Sequence, residues 1–555
     1  MGGLLVATLA VPFLAALLVA VIGRQSVPSC RWIALAAALL ATVMAGILAV
    51  SFEVAPAGRD VIPDQFVTQW QVASGNTGLD VRFSVALDGI GLWLFVLSAV
   101  LLVTSVLVSW ESVTERPALY YSMLLLLTGG CLGVFAARDI ILFYIFFEFT
   151  LVPLFFLIGI WGSEERWYAA VKFFLFTLAG SVFTFLGLLA IVLWDYRCQG
   201  TGTLRFDLRE VLANVQQNPL PEAWQWWVFL ALFAGFAIKV PLVPLHTWLP
   251  LAHVQAPTAG SVFLAGILLK IGTYGFLQFC LPLLPHASAV AMPWVLWLSV
   301  VGIVYGALVC LAQRDLKRLV AYSSVSHLGF CMLGIFALTP LGVQGGALQM
   351  INHGISTGAL FALVGMLYDR YHTRQIHELG GLSRRVPWLA FFMVFFTLSS
   401  IGLPGTNGFA GEFLLLTGMF QRAFGGGSGE SVAALRIIAV LATSGVVLGA
   451  WYMLGMVQRV FFGPVREPHS GHTSGSGSNV KDLSWREVLA LAPLAVLVLA
   501  IGLYPKYFLD RMAPSLGPAT AAAAQWTDRL IGPAERRAAV PAPSWLVVEN
   551  ANRVE

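Results

Sequence analysis

Charge is what this sequence has least of. Lys, Arg, Asp and Glu make up 11% of its 555 residues, against about 25% in a soluble globular protein, which excludes a chain that folds in water alone. The six cysteines, Cys30, Cys131, Cys198, Cys280, Cys310 and Cys331, form no CxxC pair. Their spacing encodes neither a zinc site nor an iron–sulfur cluster. A GxxxxGK[ST] loop is missing, so ATP does not drive this chain directly. No basic segment precedes the first apolar run, and that run reads as a retained span. The net charge of +4 is too small to imply nucleic acid.

What fills the sequence is apolar: 58% of the residues are hydrophobic, in repeated runs long enough to cross roughly 30 Å of hydrocarbon. The pattern predicts an all-α polytopic membrane protein with about fourteen transmembrane helices. Two of the spans, 225–250 and 388–420, are overlong and interrupted, the first by Pro241, Pro244 and Pro250, the second by GLPGTNG. Sixteen basic residues fall on one side of the membrane and eight in the opposite loops. The positive-inside bias therefore predicts a cytoplasmic basic side and both termini outside. GGGSGES and PHSGHTSGSGSN read as flexible connectors, and the tail from about 506 is expected on the outer surface or disordered.

All but two of the 32 lysines and arginines are assigned to loops or the tail; the exceptions are Lys239 and Lys270. Glu148 and Glu412 are the corresponding exceptions among the 28 acids, and His327 and His353 add two histidines within spans. A charge at mid-membrane costs about 2.5–3.5 kcal/mol. A purely structural Glu–Lys pair would hold helices no better than apolar packing does. A row of titrating groups for proton transfer explains them better. Proline breaks free backbone carbonyls, and these must face protein or water rather than lipid, so a wet cavity is expected beside Lys239. A Glu148–Lys239 pair about 4 Å apart is worth roughly 4 kcal/mol at an effective dielectric near 20. Moving a charge through about 150 mV costs roughly 3.5 kcal/mol. Making and breaking that pair is therefore of the right size to load and expel a proton. His246 and His253, near one end of the broken span, read as local structure or an entry path.

Spans four to eight and nine to thirteen each begin near an Arg-Asp pair, Arg138-Asp139 or Arg314-Asp315, and each has a broken fourth member carrying one ionisable residue, Lys239 or Glu412. Such corresponding breaks point to a site at a repeat interface, and an odd number of spans makes the repeat inverted. The expected division is 1–110 (three N-terminal helices), 111–285 (first repeat), 286–465 (second repeat), and 466–555 (loop, last helix and outer-face tail). Gly354-Ile-Ser-Thr-Gly358 matches GxSxG, but inside a membrane helix it reads as small-residue packing. His469 and His472 belong to a solvated loop rather than a metal site.

KVPLVPLHTWLPLAHVQAPTAGSVFLAGILLKIGTYG, RDLKRLVAYSSVSHLGF and MINHGISTGALFALVGMLYDR resemble the proton-pumping, antiporter-like membrane subunits of respiratory complex I. Most members have lysine in the second broken helix. Glu412 points to the M-type branch, the counterpart of mitochondrial subunit 4. The resemblance implies a translocase subunit whose proton axis uses Glu148, Lys239, Lys270, His327, His353 and Glu412. It implies no cofactor on this chain, with NAD, FMN, iron–sulfur clusters and quinone held by other subunits. The implied neighbours are membrane-arm subunits with an L-type and an N-type antiporter-like chain on either side, in the lipid bilayer of a bacterial plasma membrane. Gln255 and Leu251 depart from the family, which commonly has Glu at the first and often a charged residue at the second. The alternative is a multisubunit cation/proton antiporter without redox coupling.

Overall fold

The computed structural model describes residues 1–23, 26–54, 64–73, 78–200, 202–425, 430–468 and 480–531. The loop with His469 and His472, and the tail beyond 531, lie outside the described residues. Among the described residues, twelve helices are long and apolar enough to cross a membrane. Four of these form the interior, Gly89–Ser112, Thr258–Leu283, Leu316–Phe336 and Pro340–Tyr371, and they are buried along nearly their whole length. Helices at the rim, such as Gly2–Ile22 and Trp485–Leu503, bury only a minority of their surface. Burial explains composition here. A rim helix meets lipid and tolerates no polar face, whereas an interior helix can carry polar side chains that neighbouring helices satisfy. Close approach in the interior needs small residues. A Cβ on Gly354 would lie 2.6 Å from the carbonyl oxygen of Gly266, so the GxSxG match is a packing contact between two interior helices.

Both expected breaks are present. The first span divides into Glu222–Lys239 and Trp248–Gln255, the second into Pro387–Ser400 and Asn407–Phe424. Carbonyls freed by the prolines find donors inside the protein: Trp248 Nε1 donates to the Ile238 carbonyl at 3.0 Å. A third break lies at Thr150, between Ile140–Phe149 and Leu151–Trp161. Its cause is Pro153, which supplies no N–H and crowds the carbonyl four residues back, that of Phe149. Asp139 and Asp315 each cap a helix start, accepting from Ile141 N and Leu142 N in one case and Arg318 N in the other. The two lie at opposite ends of the array. Arg138 contacts Tyr274, near the end of Thr258–Leu283, while Lys317 contacts Ala256, just before its start.

Between the helices runs a small sheet of β1 (Gln65–Ala73), β2 (Leu79–Leu87) and β3 (Leu204–Arg205). β1 pairs with β2 antiparallel and β2 with β3 parallel. The segment from Lys506 is no loose tail: Lys506–Ile531 is a helix that buries Met512, Leu516 and Ala523, and Ser515 Oγ accepts from Gly89 N at 2.9 Å. The face of the array that carries the sheet also holds a buried charge network. Arg138 Nε donates to Asp64 at 2.7 Å and Arg209 Nε donates to its other oxygen at 2.5 Å. Asp88 lies 3.5 Å from Arg138 and caps Gly91 N. Burial alone would push the Asp64 carboxyl up, but Arg138 and Arg209 outweigh it and hold it below its ordinary value.

Asp64→Asn leaves Arg138 buried without its closest counter-charge and should cost about 3–5 kcal/mol. Because the folded carboxyl titrates below its ordinary value, this stabilisation is complete above about pH 4 and is lost as pH falls through the folded pKa. Thermal unfolding of wild type and variant across that range checks both the size of the gap and its closure in acid.

Candidate functional site

Lys239 occupies the last turn of Glu222–Lys239, where the negative end of the helix dipole favours a cation. It is buried, and its ammonium sits 3.5 Å from the centroid of the Phe147 ring while donating to the Phe147 carbonyl at 3.3 Å. That carbonyl belongs to the last turn before the Thr150 break, so two helix breaks meet at this lysine. Glu148 is the next residue, half-buried, with Oε1 free of any hydrogen bond. The expected direct Glu148–Lys239 ion pair is not closed. The ammonium is held by carbonyl and ring instead, and the carboxylate acts on it only through space.

Lys270 is fully buried on Thr258–Leu283. That span is not a regular α-helix: Leu264–Leu268 and Phe276–Cys280 are π-helical. A π turn inserts an extra residue and displaces carbonyls from the i−4 ladder. Lys270 Nζ donates to one of them, that of Ala265, and lies 2.6 Å from His353 Nδ1. An ammonium can only donate, so His353 Nδ1 accepts, which places the proton of the neutral ring on Nε2. Nε2 is buried with no hydrogen-bond partner.

Beyond His353 the polar contacts continue. The rings of His353 and His327 are 5.6 Å apart. His327 Nδ1 is 3.6 Å from Glu412 Oε1, and its Nε2 is 3.2 Å from Ser400 Oγ. Glu412, in the second turn of Asn407–Phe424, also accepts from Gln349 Nε2 at 3.1 Å. Asn352, Asn407, Ser356 and Ser399 extend the network across the second break, with Asn352 Nδ2 donating to Asn407 O at 2.7 Å. A void of about 10 Å³ beside His327 and His353 is lined by Gln349, Asn352, Ser356 and Ser399, polar and just large enough for one water.

The structure thus brings Lys270, His353, His327 and Glu412 into one chain, and Glu148 with Lys239 into a second. Beside Lys239 lies a small void whose walls include Leu264 and Leu268, of the π turn that precedes Lys270 on its helix. Sequence reasoning placed Lys317 in a loop; it lies instead in the first turn of Leu316–Phe336, buried, donating to the Ala256 carbonyl at 2.5 Å. It lines a cavity of about 230 Å³ with Asp369 and Arg374. His253 is fully buried behind it, within electrostatic reach of both Lys317 and Lys270. Neither of its ring nitrogens has a partner, and it stacks on Phe361 with centroids 4.3 Å apart. His246 is buried against Tyr305 and Tyr322, apart from this chain. Gln255 closes a loop, accepting from Glu165 N at 3.2 Å and, through its carbonyl, from Ser163 N at 2.9 Å. Leu251 is partly buried in apolar packing. Among the described residues no group of three or more His, Cys, Asp or Glu side chains gathers as a metal site, and all six cysteines are free.

Residues 137–435 match the NADH:quinone oxidoreductase/Mrp antiporter transmembrane family. The chain is 41% identical to NADH-quinone oxidoreductase subunit M of Pseudomonas aeruginosa, over 91% of this chain and 95% of that one. It is 38% identical to subunit M of Escherichia coli K12, over 91% and 96%. Among solved structures it is similar to a chain of respiratory complex I from Thermus thermophilus with bound NADH, with a TM-score of 0.77 and 32% identity over 94% of this chain and 99% of that one. A chain of the Mrp complex from Dietzia, at 20% identity and a TM-score of 0.75 over 94% and 99%, shares the fold.

The second break has a feature that a substitution can test. Gly402 adopts φ +72°, and a Cβ there would lie 2.7 Å from Glu412 Oε2. Gly405, at φ +90°, would meet open space. Gly405→Ala should carry backbone strain alone, about 1–2 kcal/mol. Gly402→Ala should cost more, because it also displaces the Glu412 carboxylate. Thermal unfolding of the two variants side by side measures the difference.

Proposed function

The chain belongs to the subunit M branch of the NADH:quinone oxidoreductase/Mrp antiporter family, and on that premise we propose that it carries protons along Glu148, Lys239, Lys270, His353, His327 and Glu412. It is a proton-pumping membrane-arm subunit of NADH:quinone oxidoreductase, a translocase, and the redox cofactors belong to other subunits. The observation that carries the axis is the 2.6 Å contact between Lys270 Nζ and His353 Nδ1, made where both side chains are buried.

The chemistry of that contact is a relay. Lys270 passes its proton to His353 Nδ1. His353 releases the Nε2 proton, through one water in the adjoining void, to His327. The imidazolium formed there is stabilised by Glu412, 3.6 Å from Nδ1. Lys270 is left as a neutral amine and the positive charge has moved to the His327–Glu412 pair, with no proton gained or lost. On the other side, Lys239 alternates between the Phe147 carbonyl and Glu148. A proton passes from Lys239 to Lys270 when water displaces the Leu264 and Leu268 side chains that line the Lys239 void. Uptake runs through the cavity at Asp369, Lys317 and His253.

The same reading assigns the basic side to the cytoplasm, both termini to the outside, and the chain to a bacterial plasma membrane. It places an L-type and an N-type antiporter-like subunit at its two flanks, keeps residues 111–285 and 286–465 as inverted repeats, and leaves this chain without a cofactor site of its own. The relatives that match over nine-tenths of both chains at about 40% identity are complex I subunits; the likeness to the Mrp complex is one of fold.

Lys270→Met and Lys239→Met should abolish proton uptake into sealed vesicles driven by NADH and quinone, and Glu148→Gln should do the same. Lys270→Arg discriminates best. Arginine retains the charge and the buried donors but cannot release a proton, so uptake should stay lost in an assembled complex. Recovery of pumping with arginine would make Lys270 a structural cation and remove it from the relay.

A further inference from the structure

Beyond this axis, a cavity of about 760 Å³ lies at the ends of Pro285–Ala312 and Glu430–Phe461. It is lined by Gln313, Arg314, His377, Gln458, Arg459 and Arg466. Its frame is built, not incidental. Ile376 N donates to the Arg314 carbonyl at 2.8 Å, and Gly380 and Arg466 exchange two backbone hydrogen bonds at 3.0 and 2.9 Å. The 376–380 segment is thereby tied down at both ends against two of the arginines. Among the described residues, none of Arg314, Arg459 and Arg466 forms an ion pair, although acids stand close in sequence. Those acids are taken: Asp315 faces Arg374 at 3.4 Å and Glu467 faces Arg385 at 3.5 Å. Three guanidinium groups thus surround one cavity with no ion-pair partner among the described residues.

Apolar surface leads away from it along both helices. Val447, Trp451 and Leu454 are exposed at helical spacing, and the next residue on that face, Gln458, lines the cavity. Val301, Tyr305 and Leu308 form a second exposed stripe on the neighbouring helix, which ends beside Gln313 and Arg314. We propose that this cavity binds the headgroup of an anionic phospholipid, the guanidinium groups holding its phosphate and the two stripes receiving its acyl chains. Arginine forks match phosphate oxygens bidentately, and basic pockets between membrane helices suit anionic headgroups. An acidic protein segment would satisfy the arginines but would leave the stripes without a role.

The assembled complex provides the test. Wild type and Arg459→Gln/Arg466→Gln are purified in mild detergent, and the phosphatidylglycerol retained per complex is counted after lipid extraction. The variant should retain about one fewer, with phosphatidylcholine unchanged, and inorganic phosphate should fail to displace spin-labelled phosphatidylglycerol from the wild type. An unchanged count overturns the proposal. Displacement by inorganic phosphate makes the cavity an anion site and not a lipid site. A photo-crosslinking side chain at Phe462 that yields a protein adduct instead of a lipid adduct also overturns it. If the double variant does not assemble, Arg314→Gln, an exposed side chain outside every ion pair among the described residues, gives the same count.

Discussion

A lysine that cannot reach water must find every one of its partners inside the protein, and Lys270 sets this requirement at the centre of the chain. Its ammonium is satisfied by a carbonyl in a π turn of its own helix and by an imidazole on Pro340–Tyr371, packed against it. For the imidazole to come that close, the two helices approach until Gly266 and Gly354 touch backbone to backbone. For the ring to accept, its proton must sit on the far nitrogen, which is buried without a hydrogen-bond partner. One electrostatic need thereby fixes the irregular helix, the glycine contact, the tautomer and the direction of the relay.

The broken helices solve the same problem at the two ends of the axis. Lys239 sits where a helix ends and where the Thr150 break exposes a carbonyl; Glu412 sits where a helix begins and where Gln349 and His327 face it. The charge of each follows from the helix end it occupies. Lys270, His327 and His353 ride on interior helices, while Lys239 and Glu412 sit on partly exposed helices with their own side chains turned inward and buried. At the sheet-bearing face, Arg138, Asp64 and Asp88 fasten the starts of two spans. That network belongs to the scaffold rather than to the relay.

Much of this was legible in the residues, and the reason is the cost of charge in lipid. Lys239, Lys270, Glu148, Glu412, His327 and His353 stand out because an apolar span has no other use for them, and the prolines and GLPGTNG mark the two breaks. Contacts were less legible. The Thr150 break had a signal in Pro153, one residue type away from notice beside Glu148. The π turns had none, because extra residues in a helix leave no compositional trace. Lys317 escaped because it sits one residue inside a helix start, where sequence cannot tell a loop end from a buried first turn. The β1 and β2 strands carry alternating residues, FVTQWQV and LDVRFSV, that an expectation of helices alone passed over. The direct Glu148–Lys239 pair is replaced by a ring and a carbonyl, an alternative that residue types could not rank.

The central claim is that the two chains of polar groups join into one conducting thread. It is tested most directly where the two chains must join, between Lys239 and Lys270. A map of the assembled complex during turnover, at a resolution that places individual waters, should show water between the two ammonium groups with the Leu264 and Leu268 side chains moved aside. If every state instead shows those leucines packed dry between the lysines, the two chains are separate and the account of a single proton axis is wrong.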